Sequence, residues 1–272
     1  MGAKLYAGVD VGAATAKTVI FSDGKILGFK VIPTGHSISL AAAEATRLAL
    51  EDAGIEVNGD QFNEIFDYVI STGYGRNGVV FSSKAITEIM CHARGAYFLL
   101  PKTRTIIDIG GQDSKAIGLD EDGNVSNFVM NDKCAAGTGR FLEVMAEVLG
   151  VKLEKLGEEA LTSKNPCTVS TTCTIFAESE MVSLRAEGRK REDLVAGIVR
   201  SVASRVSIMG RTVGFEDDVV FTGGVAKNIG VKAALEHEIG KNIIVNDEPQ
   251  IMGALGSCYI CRRNETLNRF SL

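Results

Sequence analysis

Apolar residues in this chain fall into short runs separated by glycine-centred turns. Residues 4–9, KLYAGV, read as a buried strand, apolar after Lys4. Residues 17–22 and 26–32 read as two further strands joined at Ser22-Asp23-Gly24, a hairpin signal. Residues 38–53 are rich in Ala and Leu and read as a helix closed by Gly54. DYVIST (67–72) reads as a short buried strand running into the glycine-rich GYGRNG. A helix over about 84–99 must end before Pro101.

The pattern then restarts. RTIIDIGGQDSKAIGLDEDGNVSNFVM reads strand, glycine turn, strand, Asp-Gly turn, strand. Setting Asp10 on Asp108 places Gly12 on Gly110 and Lys17 on Lys115, all at a shift of 98 residues. One further residue places the Asp23-Gly24 turn on Asp122-Gly123. This is an internal duplication of a strand–turn–hairpin unit. It predicts two similar α/β domains meeting at a cleft, over 1–101 and 102–272, with the last helix free to pack back on the first domain. In the second half, Phe141, Leu142, Met145, Val148 and Leu149 share one face of a helix expected over about 134–149. Further helices are expected at 173–186 and 192–213. A strand, DDVVF (217–221), enters TGGVAKN, read as opening a helix to about 238. A short strand, IIV, and a last helix over PQIMGALGSCYICRR complete the expectation.

Composition narrows the function. Twenty-nine Lys and Arg stand against 34 Asp and Glu, a net charge of -5, which argues against nucleic acid or an anionic membrane as partner. No apolar run approaches the roughly 20 residues of a membrane span, and MGAKLYAGVD lacks a signal peptide's apolar region, so a cytoplasmic protein is expected. In such a compartment the six cysteines serve metals, catalysis or packing rather than disulfides.

A single Asp-x-Gly is an ordinary turn. Here two of them follow buried strands, and a strand–Thr222-Gly223-Gly224–helix element accompanies them. Backbone amides of Gly12, Gly110 and Gly111 can approach phosphate oxygens closely because no side chain intervenes. Asp10 and Asp108 at the strand ends can hold Mg²⁺ through its water shell. Gly223 and Gly224 would let an adenosine lie on the backbone at a helix start. Electrostatics favours one of Lys17 and Lys115 near phosphate; a solvated strand lysine is the other reading. The set resembles the actin, sugar kinase and Hsp70-type ATPase superfamily. GVDVGAATAKTVIF is similar to its first phosphate motif, IIDIGGQDSKAI to its second and VVFTGGVAKN to its adenosine motif. That resemblance implies an α/β fold of two duplicated ribonuclease H-like domains around a nucleotide cleft holding ATP or ADP with Mg²⁺.

Cys134 (NDKCAAGTGRF) and Cys173 (STTCTIFAESE) are each read as opening a helix, where a thiolate gains from the macrodipole and free amide N–H groups. Residue chemistry alone leaves two readings, buried packing cysteines or metal ligands. Together with TGYGR, CHARGA, IDIGGQD and TGGVAKN, the two motifs resemble the activators of 2-hydroxyacyl-CoA dehydratases, whose family includes the ATPase subunits of benzoyl-CoA reductase.

The resemblance implies an ATPase coupled to electron transfer in anaerobic metabolism. It implies a homodimer with one [4Fe–4S] cluster held by Cys134 and Cys173 of each copy. A ferredoxin or flavodoxin would supply the electron, and an iron–sulfur dehydratase or reductase would receive it. It further implies a phosphate loop over Ala13, Ala14, Thr15, Ala16 and Lys17, with Gln112 and Asp113 ordering the attacking water or metal shell. Lys227 and Gln250 match nucleoside-contacting positions. The chain departs at Ala13-Ala14, where the family often carries Ser-Thr; backbone amides remain there, with Thr15 the adjacent hydroxyl. Cys91, Cys167, Cys258 and Cys261 are read as packing cysteines and His92 as a structural histidine. One rival keeps the nucleotide motifs alone: a small-molecule kinase with Asp108 as general base. Another is an ATP-switched scaffold. Neither gives Cys134 or Cys173 a task.

Overall fold

The computed structural model describes residues 3–57, 59, 61–169 and 173–268, with side chains as far as residue 262. Thr171 and Thr172 of the second cysteine motif lie outside the described residues. The chain divides into two compact units. Unit 1 comprises Met1–Thr103, Leu119–Val125 and Gln250–Leu272; unit 2 comprises Arg104–Gly118 and Ser126–Pro249.

Unit 1 is built on β1 (Leu5–Val11), β2 (Thr15–Ser22), β3 (Lys25–Pro33), β4 (Tyr68–Thr72) and β5 (Lys84–Ala85), in the sheet order β3-β2-β1-β4-β5. Both faces of β1 are buried, so its apolar run is unbroken while its neighbours alternate in space. Ala7, Val9 and Val11 pack in one cluster with Ala42, Ala45 and Ala49 of α1 (Ile38–Asp52) and with Phe62 of α2 (Phe62–Ile65). Tyr6 joins a second cluster with Val19, Phe21 and Ile70 and with Met252, Leu255, Cys258 and Cys261 of α9 (Met252–Asn268). Ser37 caps α1 by accepting the Leu40 amide at 3.4 Å.

The helix expected over 84–99 begins later, as α3 (Glu88–Leu99). Lys84 and Ala85 are drawn into the sheet instead, paired with Ile70 and Ser71, and the Ile86 amide donates to the Ser71 carbonyl at 2.9 Å. Sheet pairing overrides local helix propensity there.

Helices α3 and α9 approach until backbone meets backbone. A Cβ added at Gly256 would overlap the Cys91 carbonyl oxygen, and that oxygen belongs to a helix that cannot move aside alone. Gly256→Ala is therefore expected to cost about 3 kcal/mol or more. Denaturant unfolding of the purified variant checks this; an unchanged midpoint would mean that the two helices slide apart freely.

Unit 2 repeats the plan. Its strands are β6 (Thr105–Ile109), β7 (Ser114–Leu119), β8 (Val125–Asn131), β9 (Val219–Thr222) and β10 (Ile243–Ile244), in the order β10-β9-β6-β7-β8. Read from the other edge, this is the order of unit 1. The crossover from β8 to β9 carries α4 (Gly139–Leu149), α5 (Leu156–Ala160), α6 (Thr174–Ala186) and α7 (Arg191–Arg211); α8 (Ile229–Ile239) follows β9. Phe141, Leu142, Met145 and Leu149 of α4 and Leu194, Ile198 and Val202 of α7 fill the core against Ile107, Ile109 and Phe221. A short 3₁₀ turn, Gly224–Lys227, separates β9 from α8, because Asn228 caps α8 by accepting the Val231 amide at 3.0 Å. No helix among the described residues is long and apolar enough to cross a membrane.

Candidate functional site

In unit 1, β1 ends at Asp10 and turns through Gly12–Thr15, closed by the Gly12 amide donating to the Thr15 carbonyl at 3.0 Å. In unit 2 the matching turn is closed by the Gly110 amide and the Asp113 carbonyl at 2.9 Å. Ala13 and Ala14 are exposed, and the shape of their turn owes nothing to side-chain hydroxyls of its own. Thr34 supplies them: its amide donates to the Ala14 carbonyl at 3.0 Å and its hydroxyl to the Gly12 carbonyl at 2.8 Å. Thr15 and Lys17 are half-buried, Ala16 is buried, and Gln112 is exposed beside Gly111.

Each strand-end carboxylate is held by the lysine of its own hairpin. Lys17 Nζ donates to Asp10 Oδ2 at 3.2 Å, and Lys115 Nζ donates to Asp108 Oδ2 at the same distance. The copies then diverge. Lys115 also donates to Asp113 Oδ2 at 2.7 Å and is almost wholly buried. Thr15 occupies the position of Asp113 in unit 1, so Lys17 lacks that second carboxylate. Two carboxylates fix Lys115 in place, whereas Lys17 is the lysine of the pair that is able to swing toward a phosphate.

The duplication extends beyond the hairpins. Asp10 is the register partner of Thr72, and Asp108 that of Thr222. Each threonine is followed by a glycine in the left-handed region, Gly73 at φ 83° and Gly223 at φ 87°. A Cβ there would stand 2.5 Å from Asp10 Oδ1 and 3.0 Å from Asp108 Oδ1, so only glycine lets the chain turn against the carboxylate. The Gly223 amide donates to the Pro249 carbonyl at 2.9 Å, tying the turn before Gly224 to the segment that leads to Gln250. Lys227 is exposed and paired with Glu248. In unit 1, His92 is buried close behind Asp10: one point, a Cβ built on Gly253, lies 2.9 Å from Asp10 Oδ2 and 3.0 Å from His92 Nε2.

The cysteines sort by environment. Cys173 is the N-cap of α6, in extended conformation. Cys134 does not open a helix. Gly137 takes φ 88° and Thr138 is extended, so α4 starts at Gly139 and Cys134 sits in the preceding loop. Asn131 builds that loop: its Oδ1 accepts the Cys134 amide at 3.3 Å, and its Nδ2 donates to the carbonyls of Cys134 at 2.9 Å and Ala136 at 3.2 Å. The first amides of α4 are also engaged. Gly139 donates to the Gly110 carbonyl at 2.9 Å and Arg140 to the Gly111 carbonyl at 2.8 Å. The helix that follows Cys134 is thus bonded to the glycine turn that follows Asp108.

Cys134, Cys167 and Cys173 are half-buried free thiols, and desolvation raises the pKa of Cys167. Cys91, Cys258 and Cys261 are fully buried. Burial pushes the Cys91 thiol up to about 11 and raises that of Cys258 well above the usual thiol range, which suits packing and not ligation. Among the described residues no group of three or more His, Cys, Asp or Glu side chains is placed to hold a metal. Cys134 and Cys173 fit half of a tetrathiolate set, which a second copy of the chain would have to complete.

The chain is 47% identical over 251 residues to the activator of lactoyl-CoA dehydratase from Anaerotignum propionicum, covering 92% of this chain and 94% of that one. It is similar to the crystal structure of the Acidaminococcus fermentans (R)-2-hydroxyglutaryl-CoA dehydratase component A, with TM-score 0.90 at 42% identity over 97% of this chain and 99% of that one. The activator of the 2-hydroxyisocaproyl-CoA dehydratase from Clostridium difficile, solved with bound ADPNP, matches equally well, at TM-score 0.90 and 42% identity over 98% of each chain. The model of the BadF/BadG/BcrA/BcrD ATPase family matches residues 7–260, and the chain belongs to that family.

Proposed function

We propose that this protein hydrolyses ATP to drive a low-potential electron into an iron–sulfur 2-hydroxyacyl-CoA dehydratase or a related reductase. The observation that carries the reading is the pair of hydrogen bonds from Gly139 and Arg140 to Gly110 and Gly111. They connect a turn suited to phosphate with the loop that presents Cys134, so a nucleotide-dependent shift of the turn reaches the thiol through five residues of chain. Cys134 and Cys173 of two copies would hold one [4Fe–4S] cluster, which supplies a one-electron couple when bound. Asn131 fixes the backbone on both sides of Cys134, and α6 aims its N-terminal amides at Cys173.

In the nucleotide site, Asp10 and Asp108 would hold the water shell of Mg²⁺, Lys17 would meet the phosphates, and Gln112 with Asp113 would order the attacking water. Gly223, Gly224, Lys227 and Gln250 would take the nucleoside. A reduced ferredoxin or flavodoxin would be the donor. No observation favours the kinase reading, which leaves Cys134 and Cys173 without a task.

The test is anaerobic purification followed by mixing with a dehydratase from one of the relatives' hosts. The expected protein is brown, carries about four iron per two chains, and reduces the dehydratase with ATP but not with ADP. A colourless, iron-free anaerobic preparation that phosphorylates a sugar would overturn the proposal.

A further inference from the structure

The two copies of the Asp–Thr register pair differ in one bond. In unit 2 the Thr222 hydroxyl donates to Asp108 Oδ1 at 2.8 Å, alongside the Lys115 bond to Oδ2. In unit 1 the Thr72 hydroxyl, at the same register position beside Asp10 and wholly buried, meets no oxygen or nitrogen partner among the described residues. Its neighbour is the Cys91 sulfur, a weak acceptor, and the hydroxyl lowers that thiol's pKa as a weak donor to it. A buried hydroxyl spent on sulfur beside a carboxylate that could accept it more strongly calls for an explanation. The second difference supplies one. Lys17, unlike Lys115, lacks a second carboxylate and is less buried.

We propose that Thr72 is a positioning residue that takes over Asp10 when nucleotide binds. In the nucleotide-free form Lys17 neutralises Asp10. When Lys17 swings to the phosphates, Asp10 would lose its direct hydrogen bond, since a magnesium ion with its water shell would act on it only through water. The Thr72 hydroxyl then rotates to donate to Oδ1, the bond its counterpart Thr222 already makes to Asp108. Unit 1 is the copy whose carboxylate changes partner, and unit 2 is the copy whose carboxylate keeps its bonds. The inference rests on the nucleotide role proposed for Asp10 and Lys17.

Thr72→Val tests it, in the full anaerobic protein, with magnesium and a non-hydrolysable ATP analogue as the probe. Valine matches threonine in size and removes only a hydroxyl weakly bonded to sulfur, so the nucleotide-free variant is expected to unfold at about the same temperature. Affinity for the magnesium–analogue complex is expected to fall about tenfold, the value of one charge-assisted hydrogen bond. Thr72→Ser restores it. Thr222→Val, which breaks an existing bond, lowers the unfolding temperature without nucleotide.

The proposal is overturned if Thr72→Val destabilises the nucleotide-free protein as Thr222→Val does. It is equally overturned if Thr72→Val leaves affinity unchanged while Lys17→Met weakens it. If Lys17→Met also leaves affinity unchanged, the nucleotide role of the unit 1 turn fails, and the Thr72 exchange fails with it.

Discussion

Alanine at Cys134 or at Cys173 is expected to empty the protein of the proposed cluster's iron, from about four per two chains to none, with nucleotide binding kept. In a two-fold dimer one lost thiol per chain would be two lost ligands of four, and a cubane would not survive on the remaining two. Both thiols are half-buried, so their removal opens no deep cavity. Affinity for an ATP analogue is expected to stay within about twofold, since neither side chain lies in the glycine turns. Cys258→Ala provides the contrast: its thiol is wholly buried and bonded to the Val19 carbonyl, so the variant loses stability and keeps its iron. Iron and sulfide analysis of anaerobic protein reads the result. Full iron in either the Cys134 or the Cys173 variant would show that the ligands are elsewhere.

Asp108→Asn is expected to lower ATP hydrolysis by about a hundredfold or more, the range in which preorganised charge or proton transfer acts. The fold tolerates the change. Thr222 can still donate to the amide oxygen, and Lys115 keeps Asp113 at 2.7 Å. What disappears is the negative charge at the end of β6, the property on which a metal's water shell depends. A fall in kcat larger than the rise in KM would place the loss in the transition state rather than in binding. Phosphate release at saturating ATP measures it. Hydrolysis at the parental rate would remove Asp108 from the chemistry, and with it the kinase reading in which the same residue is the base.

The glycine turns and hairpins were legible because their signals are local. Asp, Gly and Lys recur at fixed offsets in both copies, and an Asp-Gly pair closes each hairpin whatever surrounds it. The Thr72–Thr222 equivalence was not. Sixty-two residues separate Asp10 from Thr72, whereas 114 separate Asp108 from Thr222, so no constant shift aligns them. Only the parallel register of β1 with β4 and of β6 with β9 sets the two threonines side by side with their carboxylates.

The choice between Lys17 and Lys115 was open for a similar reason. It turns on Asp113 against Thr15, a difference visible in the sequence but without meaning until the side chains meet. Cys134 was misplaced because Ala135-Ala136 reads as helix. Gly137-Thr138-Gly139 holds the start of α4 back, and the signal that a loop precedes it is Asn131, three residues upstream, whose side chain competes for the backbone there. Lys84 and Ala85 were misread because an edge pairing is a long-range event.

The unequal spacing between copies has a consequence for how such a protein is assembled over evolution. Unit 1 crosses from its third strand to its fourth with α1 and the short α2, while unit 2 makes the same crossing with four helices among the described residues and with Cys134, Cys167 and Cys173. Closing a longer excursion between two fixed strand ends costs only logarithmically more chain entropy, about 0.6 kcal/mol for each doubling of length. A crossover is therefore the place where a twin-domain ATPase can acquire a redox appendage at little thermodynamic expense. The strand that leaves and the strand that returns keep the places in the sheet order that their counterparts hold in unit 1.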